Sequence, residues 1–169
     1  MVQLLGAVLV AAGCAWLGFG AAASLSRRTE GLEDMASALA LLERELELGA
    51  PPLPALMEEL ARRAPEGARP MFRGCCQGLE RLDEEDFSSL WRRLAAGCDD
   101  LGREGQACLA RLGDVLGRYD AREQRQAVAA VRLRLEELAG QSRAERRSQG
   151  RVYQTLGLSG GAFLIILLL

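Results

Sequence analysis

Histidine, lysine and asparagine are absent from this sequence, and each absence closes off some chemistry. Without histidine the chain has neither the commonest general base nor the commonest metal ligand. Without lysine it has no phosphate-cradling loop of the Gly-Lys-Ser/Thr kind. No Cys/His pair occurs, and the GxSxG spacing at Gly157–Gly161 has no histidine in the chain to activate its Ser159. Five cysteines are present, but Cys14, Cys75, Cys76, Cys98 and Cys108 show no CxxC spacing, so they do not read as a zinc site. They read as reduced, small apolar residues. No stretch alternates with period two in Val, Ile or Thr, which leaves no strand signal. All the basic residues are arginine, a bias that fits GC-rich coding. Acidic and basic residues nearly balance at a net charge of −2, so there is no basic excess of the kind nucleic acid demands.

Charge is also missing from both ends of the chain. Val2–Leu25 carries none, and Arg27 and Arg28 follow at once. Val152–Leu169 carries none either, and Arg143, Arg146, Arg147 and Arg151 precede it. Eighteen helical residues span roughly 27 Å, close to the thickness of a bilayer core. A cleaved signal peptide would begin with a basic segment, which the first run lacks, although Ala21-Ala22-Ala23 offers small residues for a cleavage site. The sequence therefore predicts retained spans at 1–25 and 152–169 with a domain at 26–151 between them. Basic flanks stay in the cytoplasm, so both termini are expected outside and the domain inside. Ala7, Ala11 and Ala15, and Gly157 with Gly161, place small residues four apart and would allow helices to pack closely in lipid.

The central domain reads as an all-α bundle of six helices. Thr29 is a candidate cap for the first. In that helix Leu32, Met35, Leu39, Leu42 and Leu46 step by three and four, an apolar seam that ends at Gly49 and Pro51-Pro52. Pro54 opens a second helix to about Ala64. A third is expected over Met71–Leu82, where Gly74 and Gly78 would admit a close neighbour. The acidic run Asp83–Asp86 opens a fourth carrying Phe87, Leu90, Trp91 and Leu94 inward. Asp99 and Asp100 open a fifth through Leu116, with Leu101, Cys108, Leu109, Leu112 and Val115. Gly117 and Asp120 separate it from a long last helix whose Val128, Val131, Leu135 and Leu138 share one face.

The carboxylates are the only plentiful reactive groups. Glu43, Glu45 and Glu47 alternate, so on a helix they diverge and cannot jointly hold an ion. No EF-hand pattern occurs. The residues thus predict a protein without enzymatic activity, metal, cofactor or small-molecule substrate. With the seam facing the core, Glu43, Glu45 and Glu47 lie outward or at its border. Together with the stiff turn Pro51, Pro52, Leu53 and Pro54 they form the candidate partner surface.

Several ordered pieces resemble the stage III sporulation protein AB family. They are Leu4–Leu9; Ala38–Leu46 followed by Gly49 and Pro52-Leu53-Pro54; Leu112–Gly117 followed by Asp120 and Gln124; and Tyr153–Gly157 leading into Leu164–Leu168. Leu48 and Pro51 depart from the aromatic residue and threonine that the family often has there. The resemblance implies a component of a sporulation channel complex in the mother-cell membrane facing the forespore. It also implies a cytoplasmic domain similar to the inner-membrane platform of type II secretion and type IV pilus machines. The partners it implies are a secretion-type ATPase and other sporulation channel subunits. The alternative reading is a membrane-anchored regulator that binds a single soluble signalling partner.

Overall fold

The computed structural model describes residues 26–49, 51–80, 86–118 and 120–168, with side-chain surroundings described through Ser148. Every regular element among the described residues is helical, as the missing strand signal requires. Helix α1 covers 26–48, followed by α2 (Leu53–Arg63), α3 (Arg69–Leu79), α4 (Phe87–Ala96), α5 (Gly102–Ala110) and α6 (Ala121–Leu168). Short 3-10 turns at Asp99–Leu101 and Arg111–Asp114 flank α5. The expected span at 1–25 lies outside the described residues, and so do the side chains of the expected span at 152–169. Among the described residues no helix is long and apolar enough to cross a membrane. The chain divides into two units, of which Arg28–Gly140 is one; the described residues of the other are Ser26, Arg27 and 141–168.

The α1 seam is core along its whole length: Leu32, Met35, Leu39, Leu42 and Leu46 are all buried. Thr29 does not cap this helix. The backbone is already helical at Ser26, with no proline or glycine to interrupt it before Thr29, so Thr29 is a buried interior residue. Pro52 stands at the N-cap of α2, and its carbonyl accepts the Leu56 N–H at 3.0 Å. Proline fits the first turn because its missing N–H would have had no partner there. At the other end Pro65 forces Ala64 out of the helical region, to ψ 152°, which stops α2. Leu56, Met57 and Leu60 are its buried face.

Helix α3 starts two residues before the expected Met71, because Pro70 fits its first turn, and it ends at Leu79 rather than Leu82. Its Gly74 and Gly78 do admit a neighbour. A Cβ on Gly74 would meet Leu94 Cδ2 at 2.7 Å, and one on Gly78 would meet both methyls of Leu90 at 2.5 Å. Two leucines of α4 therefore lie in the shallow notch these glycines leave, with α3 and α4 antiparallel. Asp86 stands at the N-cap position of α4 in an extended conformation, at the end of the acidic run expected to open this helix. Its Oδ1 accepts the Ser89 hydroxyl at 2.6 Å, which holds the Asp86 carboxyl below the usual range.

The fifth expected helix is not continuous. Asp99–Leu101 is a 3-10 turn, Gly102 turns the chain at φ +66°, α5 follows, and Arg111–Asp114 is 3-10 again. Only glycine takes that φ without strain. The expected apolar set still faces inward: Leu101, Leu109, Leu112 and Leu116 are buried, with Cys108 and Val115 half-buried. Gly117, at φ +80°, closes the segment. Asp120 then opens α6, its Oδ1 accepting the Glu123 N–H at 2.8 Å. In α6 Val128, Leu135 and Leu138 are buried and Val131 packs half-buried against the core.

Two glycines separate close packing from helix propensity. A Cβ on Gly31, inside α1, would lie 2.6 Å from Asp100 Cβ and 3.4 Å from that residue's backbone. A Cβ is no flexible side-chain end, so the turn itself has to move. A Cβ on Gly140, in α6, would meet nothing within 4 Å. Gly31→Ala is expected to destabilise a fragment of residues 27–150 by about 1–3 kcal/mol. Gly140→Ala should stabilise it by about 0.5–1 kcal/mol, the helix-propensity gain. Urea melts of the two variants check both signs.

Candidate partner-binding surface

The candidate surface is built from the end of α1, the turn that follows and the start of α2. The three glutamates are not free. Glu43 Oε2 accepts from Arg132 Nε at 3.1 Å, and Arg132 also donates to Glu136 at 2.7 Å, one turn along α6. Glu47 Oε1 accepts from Arg125 at 2.9 Å. Glu45 lies 3.5 Å from Arg63 on α2, which also pairs with Glu59. Glu43 and Glu47 are one turn apart and meet arginines of α6 in reversed order, so α1 and α6 run antiparallel. Glu45, pointing elsewhere as the alternation requires, ties α1 to α2. Arg134 of α6 reaches Glu104 of α5 in the same way. The glutamates therefore hold the bundle's border, and sequence periodicity could not see this because it does not reveal which arginines face them.

Electrostatics follow from these pairs. Hydrogen bonds to Glu136 first, then to Glu43, push the Arg132 guanidinium above its usual value. The Arg62 and Arg63 guanidiniums hold Glu59 below the usual carboxylate range. The Glu43–Arg132 pair is the most shielded of those joining α1 to its neighbours, with side chains 28% and 25% exposed. A double-mutant cycle with Glu43→Gln and Arg132→Gln is expected to give a coupling of about 0.5–1 kcal/mol. The same cycle on the more exposed Glu47 and Arg125 should give a value near zero.

In the turn, Pro51 is half-buried, while Pro52 and Pro54 are exposed. Leu53 packs against the core, and its Cδ2 would lie 3.4 Å from a Cβ on Gly117. Leu48 is 72% exposed at the last turn of α1. Sequence reasoning missed Leu48 as a surface feature. The signal was its position off the seam that runs through Leu42 and Leu46. The candidate packing positions Ala7, Ala11 and Ala15 lie outside the described residues. Gly157 and Gly161 lie on the helical backbone of α6, but their surroundings are outside the described ones.

The described cysteines are free. Burial pushes the Cys75 thiol up to about 12 and the Cys98 thiol up to about 11. Both are held as neutral thiols, which suits packing and not nucleophilic attack. Among the described residues no three His, Cys, Asp or Glu side chains gather as a metal site requires.

The fold has a solved counterpart. A structure described as Stage III sporulation protein AB (SpoIIIAB) aligns with a TM-score of 0.62 at 18% identity, covering 72% of this chain and 98% of that one. At that identity the likeness speaks for the fold. No curated protein matches the chain. The family model described as Stage III sporulation protein AB matches residues 3–169, nearly the whole sequence, and the chain belongs to that family.

Proposed function

We propose that this protein is a non-catalytic platform or adaptor in a membrane-embedded sporulation complex, with a secretion-type ATPase and other channel subunits as its partners. The family match over residues 3–169 carries the reading. Supporting it are the two uncharged runs of the sequence, and an α6 backbone that stays helical to Leu168. On this reading the bundle works in the mother-cell cytoplasm, and the α1–α2 turn meets the partner. Since Glu43, Glu45 and Glu47 already tie helices together, the contact centres on exposed Leu48, Pro52 and Pro54, with Glu47 at its edge. A stiff double-proline turn loses little entropy on binding.

Two experiments test this. For topology, Ser37 is exposed, so Ser37→Cys is a better probe than half-buried Cys98 with its raised thiol. A membrane-impermeant maleimide is expected to label it only in permeabilised cells. Labelling in intact cells overturns the orientation. For the partner, a photo-crosslinker at position 48 in sporulating cells should capture the ATPase or a channel subunit, and Leu48→Asp should reduce their co-purification. Capture of one soluble signalling protein in their place would favour the regulator.

A further inference from the structure

We infer that the α6 segment Arg143–Arg151 is a binding face for acidic phospholipid headgroups, selecting anionic over zwitterionic lipid around this protein. The inference rests on the reading that residues 152–169 enter the membrane. The backbone is one uninterrupted helix from Ala121 to Leu168, which fixes the angular positions of the residues along it. At 100° per residue Arg143, Arg146, Arg147 and Arg151 fall within an arc of roughly 140°. Glu145 is the single acidic side chain from Gln141 to Leu169, and it falls on the opposite side of the helix. Arg143, Arg146 and Arg147 are exposed.

Position along the helix favours lipid over an acidic protein. Measured from Val152 at 1.5 Å per residue, Arg151 stands at about 1.5 Å, Arg147 and Arg146 at about 8 and 9 Å, and Arg143 at about 14 Å. The headgroup layer on each side of a bilayer is on the order of 5–8 Å thick. Arg151 and Arg147 are therefore at phosphate level, Arg146 lies at its edge, and Arg143 is within about a Debye length beyond it. Guanidinium groups bind phosphate through paired N–H donors, so Arg146, Arg147 and Arg151 on one side present a phosphate-matched strip, to which Arg143 adds charge from beyond the headgroups. A general topology signal needs only net positive charge on the flank. It does not need the arginines to share one side with the acid opposite.

The test uses the full chain reconstituted in phosphatidylcholine bilayers with a trace of spin-labelled phosphatidylglycerol or spin-labelled phosphatidylcholine. The fraction of motionally restricted label reports association. Phosphatidylglycerol is expected to be preferred at least about threefold at 0.15 M salt, and the preference should collapse at 1 M, where screening falls to about 3 Å. Replacing Arg143, Arg146, Arg147 and Arg151 with Gln should abolish the preference, and replacing them with Lys should keep most of it. Removing the same charge from exposed bundle residues Arg73, Arg103, Arg111 and Arg118 should leave it intact. Incorporation without lipid preference, or a preference that survives the four Gln changes, overturns this inference while the membrane reading stands. A chain that does not float with neutral vesicles overturns both.

Discussion

Trp91→Ala should be among the most damaging single truncations in the bundle, with a loss of about 3–5 kcal/mol. Trp91 is fully buried, and the other two aromatic side chains with described surroundings both pack on it. The Phe72 ring centroid lies 6.3 Å away in an edge-on arrangement and that of Phe87 5.8 Å away. Its indole Nε1 donates to the Leu109 carbonyl at 2.8 Å, at the point where α5 gives way to the 3-10 turn. A Cβ on Gly113 would lie 3.0 Å from Trp91 Cβ and Cδ1, so the turn is folded directly onto the ring's base. Truncation thus empties a large cavity, removes two ring contacts and takes a donor from a buried carbonyl. Domains of this size are stable by about 5–15 kcal/mol, so Trp91→Ala consumes a large share of the total. Trp91→Phe keeps a ring but loses the N–H, and about 1–3 kcal/mol is expected. Denaturant melts of the 27–150 fragment would show Ala worse than Phe. Equal and small losses would mean that Trp91 does not anchor α5.

What the sequence made legible, and what it did not, follows from the range of the forces involved. The α1 seam was readable because one helix face at three- and four-residue spacing needs no knowledge of its partner. The proline start of α2 and the Asp120 cap were readable because they act within one turn. The split of the fifth helix was hidden. It depends on Gly102, which turns at positive φ against the Arg28 side chain, and on Gly113 meeting Trp91, and both neighbours are distant in sequence. The glutamates were placed correctly at the core's border, but their pairing with Arg132, Arg63 and Arg125 was out of reach for the same reason. Leu48 is the converse case. Its position off the seam was visible, and only the fold shows that it stays 72% exposed among the described residues.

Leu42→Asp is expected to be as severe as Trp91→Ala, with a pH signature of its own. Leu42 is fully buried in the middle of the seam, between Leu39 and Leu46. Replacing it loses the transfer energy of a leucine and leaves a cavity, about 2–4 kcal/mol together. An ionised carboxylate there adds a desolvation cost of several kcal/mol, unless the group protonates instead. Burial raises the folded-state pKa of such an acid above its unfolded value near 4. The folded state then holds its proton to higher pH than the unfolded state does, so stability falls as pH rises from about 4 through the folded pKa. Below about pH 4 both states are protonated and only the packing loss remains. Leu42→Asn carries a similar packing and polarity penalty but cannot ionise. The two variants should therefore approach each other in stability at about pH 4 and separate by at least about 2 kcal/mol at pH 7, with Asp the worse. Each is compared with the parent fragment at the same pH, which removes the background titration of the surface ion pairs. A gap between Asp and Asn that does not change with pH would mean that position 42 reaches water, and that the α1 seam is not the centre of the core.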